Sequence, residues 1–168
     1  MLQETFRGRC PLARVVVIAL ACSVAIGADP PIAPVGVCEI LRDLSHMDGK
    51  DVAVLGRYSF RSDEGRWVSE QSCDPPAASP SELWLVEDTR EAPKPPEPFE
   101  IDTPVLHKKL VDIERHTALG KFRFGTPDYD RWAVVYGRVE SRKGDDAKKA
   151  PANLRFRGSG VVVFLAPE

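Results

Sequence analysis

Histidine, methionine and cysteine are scarce in this chain of 168 residues, which holds three, two and four of them. His46, His107 and His116 do not fall at the i, i+4 spacing with a second ligand that a zinc helix requires, so no metal centre is expected. No Gly-x-Ser-x-Gly segment is present, and Gly158-Ser159-Gly160 lacks the spacing of a nucleophile elbow. Neither sign of charge dominates. With 23 Lys plus Arg against 25 Asp plus Glu the net charge is −2, without the global basic field of a dedicated nucleic-acid binder. No apolar run reaches the roughly twenty residues of a membrane-spanning helix. What is present is a hydrophobic share of 43%, too high for a disordered polymer, on a length that suits one ordinary domain.

The N-terminus reads as a secretory signal peptide over residues 1–27. Arg7, Arg9 and Arg14 give a positive start, Val15 to Ile26 is an apolar run of about twelve residues, and Ala25-Ile26-Gly27 supplies small residues for cleavage. Ala19-Leu20-Ala21-Cys22 offers a rival, lipoprotein processing with an anchor on Cys22. The leader carries three arginines and one glutamate, so its removal takes the net charge from −2 to −4. Cys10 and Cys22 leave the mature chain, and Cys38 and Cys73 remain in an oxidising compartment, periplasmic or extracellular, where a disulfide is expected. Their separation is far from the Cys-x-x-Cys of a redox pair.

Residues 28–34, with three prolines, read as a flexible lead-in to a domain over 35–168. Val37, Ile40, Leu41 and Leu44 lie on one face of a short helix. Asp51 to Arg61 alternates Val52, Val54, Tyr58 and Phe60 and predicts a strand; Arg66 to Ser72 predicts a second, joined to it as a hairpin. Glu82 to Glu87 is a third. Five prolines at 93, 95, 96, 98 and 104 exclude regular structure from the long loop before a helix over Val105 to Leu119, for which Gly120 is the stop. Arg131 to Arg142 and Leu154 to Leu165 complete five strands.

Three strands, a helix and two strands is the order of an OB-fold-like Greek-key barrel, here mainly β, with an N-terminal helix and a helix between strands three and four. Val52-Ala53-Val54-Leu55-Gly56-Arg57 and Ala133-Val134-Val135-Tyr136-Gly137-Arg138 repeat an apolar run ending in Gly-Arg, which suits the neighbouring first and fourth strands of such a barrel, where both must bend. The segments Cys38-Glu39-Ile40-Leu41 and Gly49-Lys50-Asp51-Val52-Ala53-Val54-Leu55-Gly56, with Cys73 downstream, resemble a group of uncharacterised exported bacterial proteins with an OB-like barrel. The resemblance covers residues 36–73 and implies fold and compartment; it brings no catalytic or binding residue with it.

In an OB barrel, ligands lie across strands two and three, flanked by the loops joining strands one to two and four to five. That places the candidate binding residues at Trp67, Arg66, Trp84, Arg61 and Lys148. Indoles there stack on sugars or bases, and arginine holds phosphate or carboxylate; Phe122-Arg123-Phe124 and Arg155-Phe156-Arg157 repeat the interleaving. Against this stands the plainer and favoured reading, in which Trp67, Trp84 and Trp132 are core residues and the arginines belong to a solvated strand face. The expected role is an exported, non-catalytic binding or scaffold module without cofactor, acting on a protein, peptide or glycan. The alternatives are a small hydrolase using Ser159 or carboxylates such as Asp128, and, disfavoured by charge and export, single-stranded nucleic-acid binding.

Overall fold

The structure is a computed structural model, which describes residues 30–71, 73, 81–117 and 129–164. Residues 1–27, with the expected leader and Cys22, lie outside the described residues, as do the segment Phe122-Arg123-Phe124 and Asp128. The elements run β1 (Val35–Gly36), α1 (Val37–Arg42), α2 (Leu44–Met47), β2 (Asp51–Arg61), β3 (Gly65–Ser69), β4 (Glu82–Glu87), α3 (Thr103–Glu114), β5 (Tyr129–Ser141), α4 (Asp146–Lys149) and β6 (Ala152–Phe164).

The five long strands close into a barrel. β2 pairs antiparallel with β3 on one side and β5 on the other, β3 pairs with β4, β4 runs parallel to β6, and β6 returns antiparallel to β5. Closure leaves none of the five as a free edge. The extra strand β1 lies parallel to β2 opposite Val54 and Leu55, along the part of β2 that β3 does not reach.

Alternation along each strand separates two hydrophobic clusters. Val54, Val68, Leu83, Leu85, Val135, Val139, Leu154 and Phe156 point inward and are joined by Val37, Ile40 and Leu41 of α1. Ala53, Leu55, Trp132 and Val134 point outward from β2 and β5 and are covered by Leu110 and Ile113 of α3. Each aliphatic side chain taken from water contributes about 1.5–3 kcal/mol. α3 starts where Asp102 caps it, its carboxylate accepting from the Val105 N–H at 3.0 Å, with Pro104 in the first turn, where no helical N–H is needed.

Bending is provided for at the glycines. A Cβ on Gly137 would stand 2.5 Å from the Arg155 carbonyl oxygen, and one on Gly56 would stand 2.7 Å from Val68. The β5–β6 register shifts between Val135 and Gly137, and β6 passes the shift through Arg157-Gly158-Ser159-Gly160.

Cys38 and Cys73 form the expected disulfide, with Cα atoms 5.3 Å apart. Closing this loop stabilises the fold by about 3.5–4 kcal/mol on the chain-entropy account. Glu70 reinforces the same junction: its buried carboxylate accepts the Cys38 N–H at 3.0 Å near the start of α1 and meets His116 Nε2 at 3.2 Å after α3. The Gln71 N–H donates to Thr117 Oγ1 at 2.7 Å. Thr117 therefore continues the buried face of α3 as a hydrogen-bonding residue rather than an apolar one.

Several expectations need adjustment. The first helix breaks at Asp43, where φ and ψ of −124° and 39° are not helical, and restarts as α2. The second strand ends at Ser69, because Glu70 and Gln71 turn aside to the junction just described. α3 begins after its Asp102 cap and spans Thr103–Glu114, with one more turn closed by the Thr117 N–H donating to the Ile113 carbonyl at 2.9 Å. The exposed loop after β5 contains one helical turn, α4. The lead-in is not wholly flexible: the Ile32 N–H donates to the Glu100 carbonyl at 2.8 Å and its carbonyl accepts from Asp102 at 2.9 Å.

Gly137→Ala is expected to cost about 1–3 kcal/mol, because the new methyl meets main chain that cannot swing away. Gly49→Ala, at φ +78° with nothing within 4 Å, should cost about 1 kcal/mol from backbone conformation alone. Urea midpoints at unchanged m-value check both, and a Gly137 variant as stable as the parent would contradict the close approach.

Candidate functional site

The outer surface of the barrel is divided by α3. Over β2 and β5 it is buried, whereas β3, β4 and β6 leave their outward residues at the surface. On those strands Val68, Leu83, Leu85, Ala152, Leu154 and Phe156 face in, so Trp67, Trp84 and Asn153 face out. The pairing register sets these three side by side: Trp67 is the partner of Trp84, and Trp84 the partner of Asn153. Both indoles are half-buried, whereas Trp132, at 2% exposure, is core beneath α3.

Trp84 is held from three sides. The Gly65 backbone, at φ +105°, leaves room for the ring, whose Cζ3 would lie 3.5 Å from a Cβ at that position. Its Nε1–H donates to Glu82 Oε1 at 3.3 Å. The Arg142 guanidinium, from the start of the loop between β5 and β6, lies 5.8 Å from the ring centroid in a cation–π contact. Arg142 is drawn back by its backbone N–H donating to the Pro151 carbonyl at 2.9 Å and by Asp146 at 3.5 Å; its Nη1 is buried without a hydrogen-bond partner among the described residues.

The other arginines of this surface are already engaged. Arg155 donates to both oxygens of Glu140, at 2.7 and 3.1 Å, and to Asp88 at 2.8 Å; these contacts, Glu140 first, push its pKa up. Arg157 donates to the carbonyls of Ala92 and Arg90, and Arg138 to Asp51 through two bonds. Glu82 differs. Among the described residues it faces no cation at ion-pair distance, and burial pushes its carboxyl up, the Trp84 N–H opposing and Glu64 adding to the rise.

The predicted residues separate accordingly. Trp67 and Trp84 are brought together. Arg66 is next to Trp67 in sequence but points to the opposite face, where it pairs with Glu87 at 2.5 Å and lies over Phe60 at 5.7 Å. Arg61 is tied into the turn after β2 by Asp63 and Glu64. Lys148 is 80% exposed on α4, bonded to Asp145, and has no contact with either indole; the loop's contribution is Arg142 instead. Ser159 is exposed at the register shift of β6, with no His or carboxylate bonded to it among the described residues. Those residues also hold no cluster of three His, Cys, Asp or Glu suited to a metal ion, and no helix long and apolar enough to cross a membrane.

Glu82, Asn153 and Arg142 were not singled out by sequence. Period-2 alternation from Trp84 back to Glu82 could have found the first; the other two depend on which strand lies beside β4.

The raised Glu82 pKa fixes the sign of a pH effect. The folded state binds this proton more tightly than the unfolded chain, so this residue's contribution to stability falls as pH rises from the ordinary value of 4.5 through the raised one. Glu82→Gln removes that dependence while keeping an acceptor for Trp84. Its melting temperature should gain on the parent as pH rises across this window, and a difference constant with pH would show that the carboxyl is not desolvated.

No protein-family model, curated protein or solved structure matches this chain, so what the Trp67–Trp84 face can bind rests on its own chemistry.

Proposed function

We propose that this protein is an exported, non-catalytic binding module built on an OB-like barrel, with its ligand lying across the outer face of β3 and β4. One observation carries the reading: Trp67 and Trp84, the largest side chains of that face, are cross-strand partners on the outside of the barrel wall and remain partly exposed rather than packed inside. Leaving two indoles partly in water forgoes hydrophobic stabilisation that the fold obtains from Trp132. Rigid aromatic side chains in that position stack on a flat ligand with little conformational entropy to lose. The strand order around the ring, first, second, third, fifth, fourth, and the flanking loops agree with the surface that OB barrels use. Export is supported by the leader and by the Cys38–Cys73 bridge.

A polyanion suits this face poorly. Arg138, Arg155 and Arg157 are engaged by carboxylates and carbonyls, Arg142 is packed against Trp84 with 16% of its side chain exposed, and the Glu82 carboxylate, which meets no cation at ion-pair distance among the described residues, sits beside the indoles, whereas nucleic-acid binding needs accessible cations able to displace counterions.

The oxidised protein, screened against arrays of glycans and peptides, should show saturable binding that Trp67→Ala and Trp84→Ala each weaken by about ten-fold or more. Arg66→Ala, on the opposite face of the strand, should leave it within about two-fold. Absence of saturable binding, or binding indifferent to both tryptophans, would overturn the reading.

A further inference from the structure

From the charge and hydrogen-bonding balance around the two indoles we infer that the ligand of this face is a neutral saccharide chain, stacked on Trp67 and Trp84 and hydrogen-bonded through its hydroxyls to Glu82 and Asn153. The inference rests on the binding reading above and narrows it to one ligand class.

Three observations converge. The first is the row of residues itself. Trp67, Trp84 and Asn153 are successive partners on β3, β4 and β6, which sets them about 5 Å apart from strand to strand. A pyranose ring presents C–H groups on its faces and hydroxyls at its rim, so a sugar seated on an indole carries its hydroxyls to the flanking strands.

The second is unused hydrogen-bonding capacity. Glu82 spends one oxygen on the Trp84 N–H, and its other oxygen has no partner among the described residues. The Asn153 side-chain amide, half-buried and on the same face, also makes no hydrogen bond there. A carboxylate that only accepts and an amide that both donates and accepts match hydroxyl groups, which do both. A hydroxyl donating to Glu82 also compensates a carboxylate that burial otherwise penalises.

The third is what the face lacks. A ligand with phosphate, sulfate or carboxylate groups needs free cations, and Arg138, Arg155 and Arg157 are each held by two or more oxygens. Arg142 lies against Trp84 with only 16% of its side chain exposed. A strongly cationic ligand meets that same guanidinium on the ring it would need. A neutral, hydroxyl-rich ligand meets neither obstacle.

The test uses the oxidised protein with neutral oligomers of glucose, xylose and N-acetylglucosamine as probes, beside oligogalacturonate, heparin fragments, oligothymidylate and oligolysine. Isothermal titration should detect at least one neutral oligomer, with affinity changing by less than about two-fold between about 50 and 500 mM salt. Trp84→Ala should weaken it by about ten-fold or more, while Trp84→Phe keeps an aromatic face and most of the affinity. Glu82→Gln, which retains an acceptor, should hold the affinity to within about three-fold, and Asn153→Leu, which has none, should lower it by about five-fold or more. Binding confined to a charged probe, falling steeply with salt and still dependent on Trp84, would overturn the saccharide assignment and leave the binding face in place. Silence from every probe, charged and neutral, would overturn the assignment and count against the binding reading as well.

Discussion

The interior of the five-stranded barrel admits only one parity of each strand, and every other property of the molecule depends on that packing. Val68 on β3, Leu83 and Leu85 on β4, and Leu154 and Phe156 on β6 fill the inside. With them in place Trp67, Trp84 and Asn153 have nowhere to point but outward. A slip of one residue in β3 or β4 would bring an indole into a space already filled by Leu and Val and send an aliphatic side chain to the surface. The candidate site is thus the complement of the core, held by the same free energy that holds the fold.

The outer surface is used unevenly. α3, Phe99 and Ile101 bury the outward residues of β2 and β5, so that half of the barrel wall has a second core behind it. The Cys38–Cys73 bridge and Glu70 fasten α1 and the end of α3 to the chain leaving β3. With these elements collected on one side, β3, β4 and β6 form a platform that no other described element packs over, bordered by the turn that follows β2 and by the loop from Arg142 to Pro151. Arg142 links platform and loop, since its main chain closes the loop and its guanidinium rests on Trp84.

Much of this was legible in the sequence. Alternation of Val52, Val54, Tyr58 and Phe60 in Asp51–Arg61 and the apolar run in Glu82–Glu87 point to strands, proline density points to the long loop, and the expectation that residues 1–27 are a leader leaves Cys38 and Cys73 to pair. The order of three strands, a helix and two strands points to a closed barrel in which the first and fourth strands are neighbours, and β2 does pair with β5. Less of the site was legible. Grouping Arg66 with Trp67 relied on adjacency along the chain, where alternation places neighbours on opposite faces. Position along the last loop points to Lys148 as its cation, but an exposed lysine bonded to Asp145 one turn away remains in solvent, whereas Arg142, still anchored to the strand end, reaches the indole. Asn153 could not be found from local pattern, since its place beside Trp84 arises from the parallel β4–β6 pairing across 68 residues of intervening chain. The two-residue β1 was likewise invisible, because a strand that short has no periodicity.

Two of the three indoles in the described structure, Trp67 and Trp84, keep part of their surface in contact with solvent, while the third, Trp132, is sealed. A ¹⁵N-labelled sample gives one indole N–H resonance for each of Trp67, Trp84 and Trp132, and a soluble paramagnetic agent broadens those that solvent molecules can approach. The account predicts clear attenuation for Trp67 and Trp84 and none for Trp132. Equal protection of all three would mean that the face between β3 and β4 is closed, and would contradict both the parity assigned to those strands and the binding site built upon it.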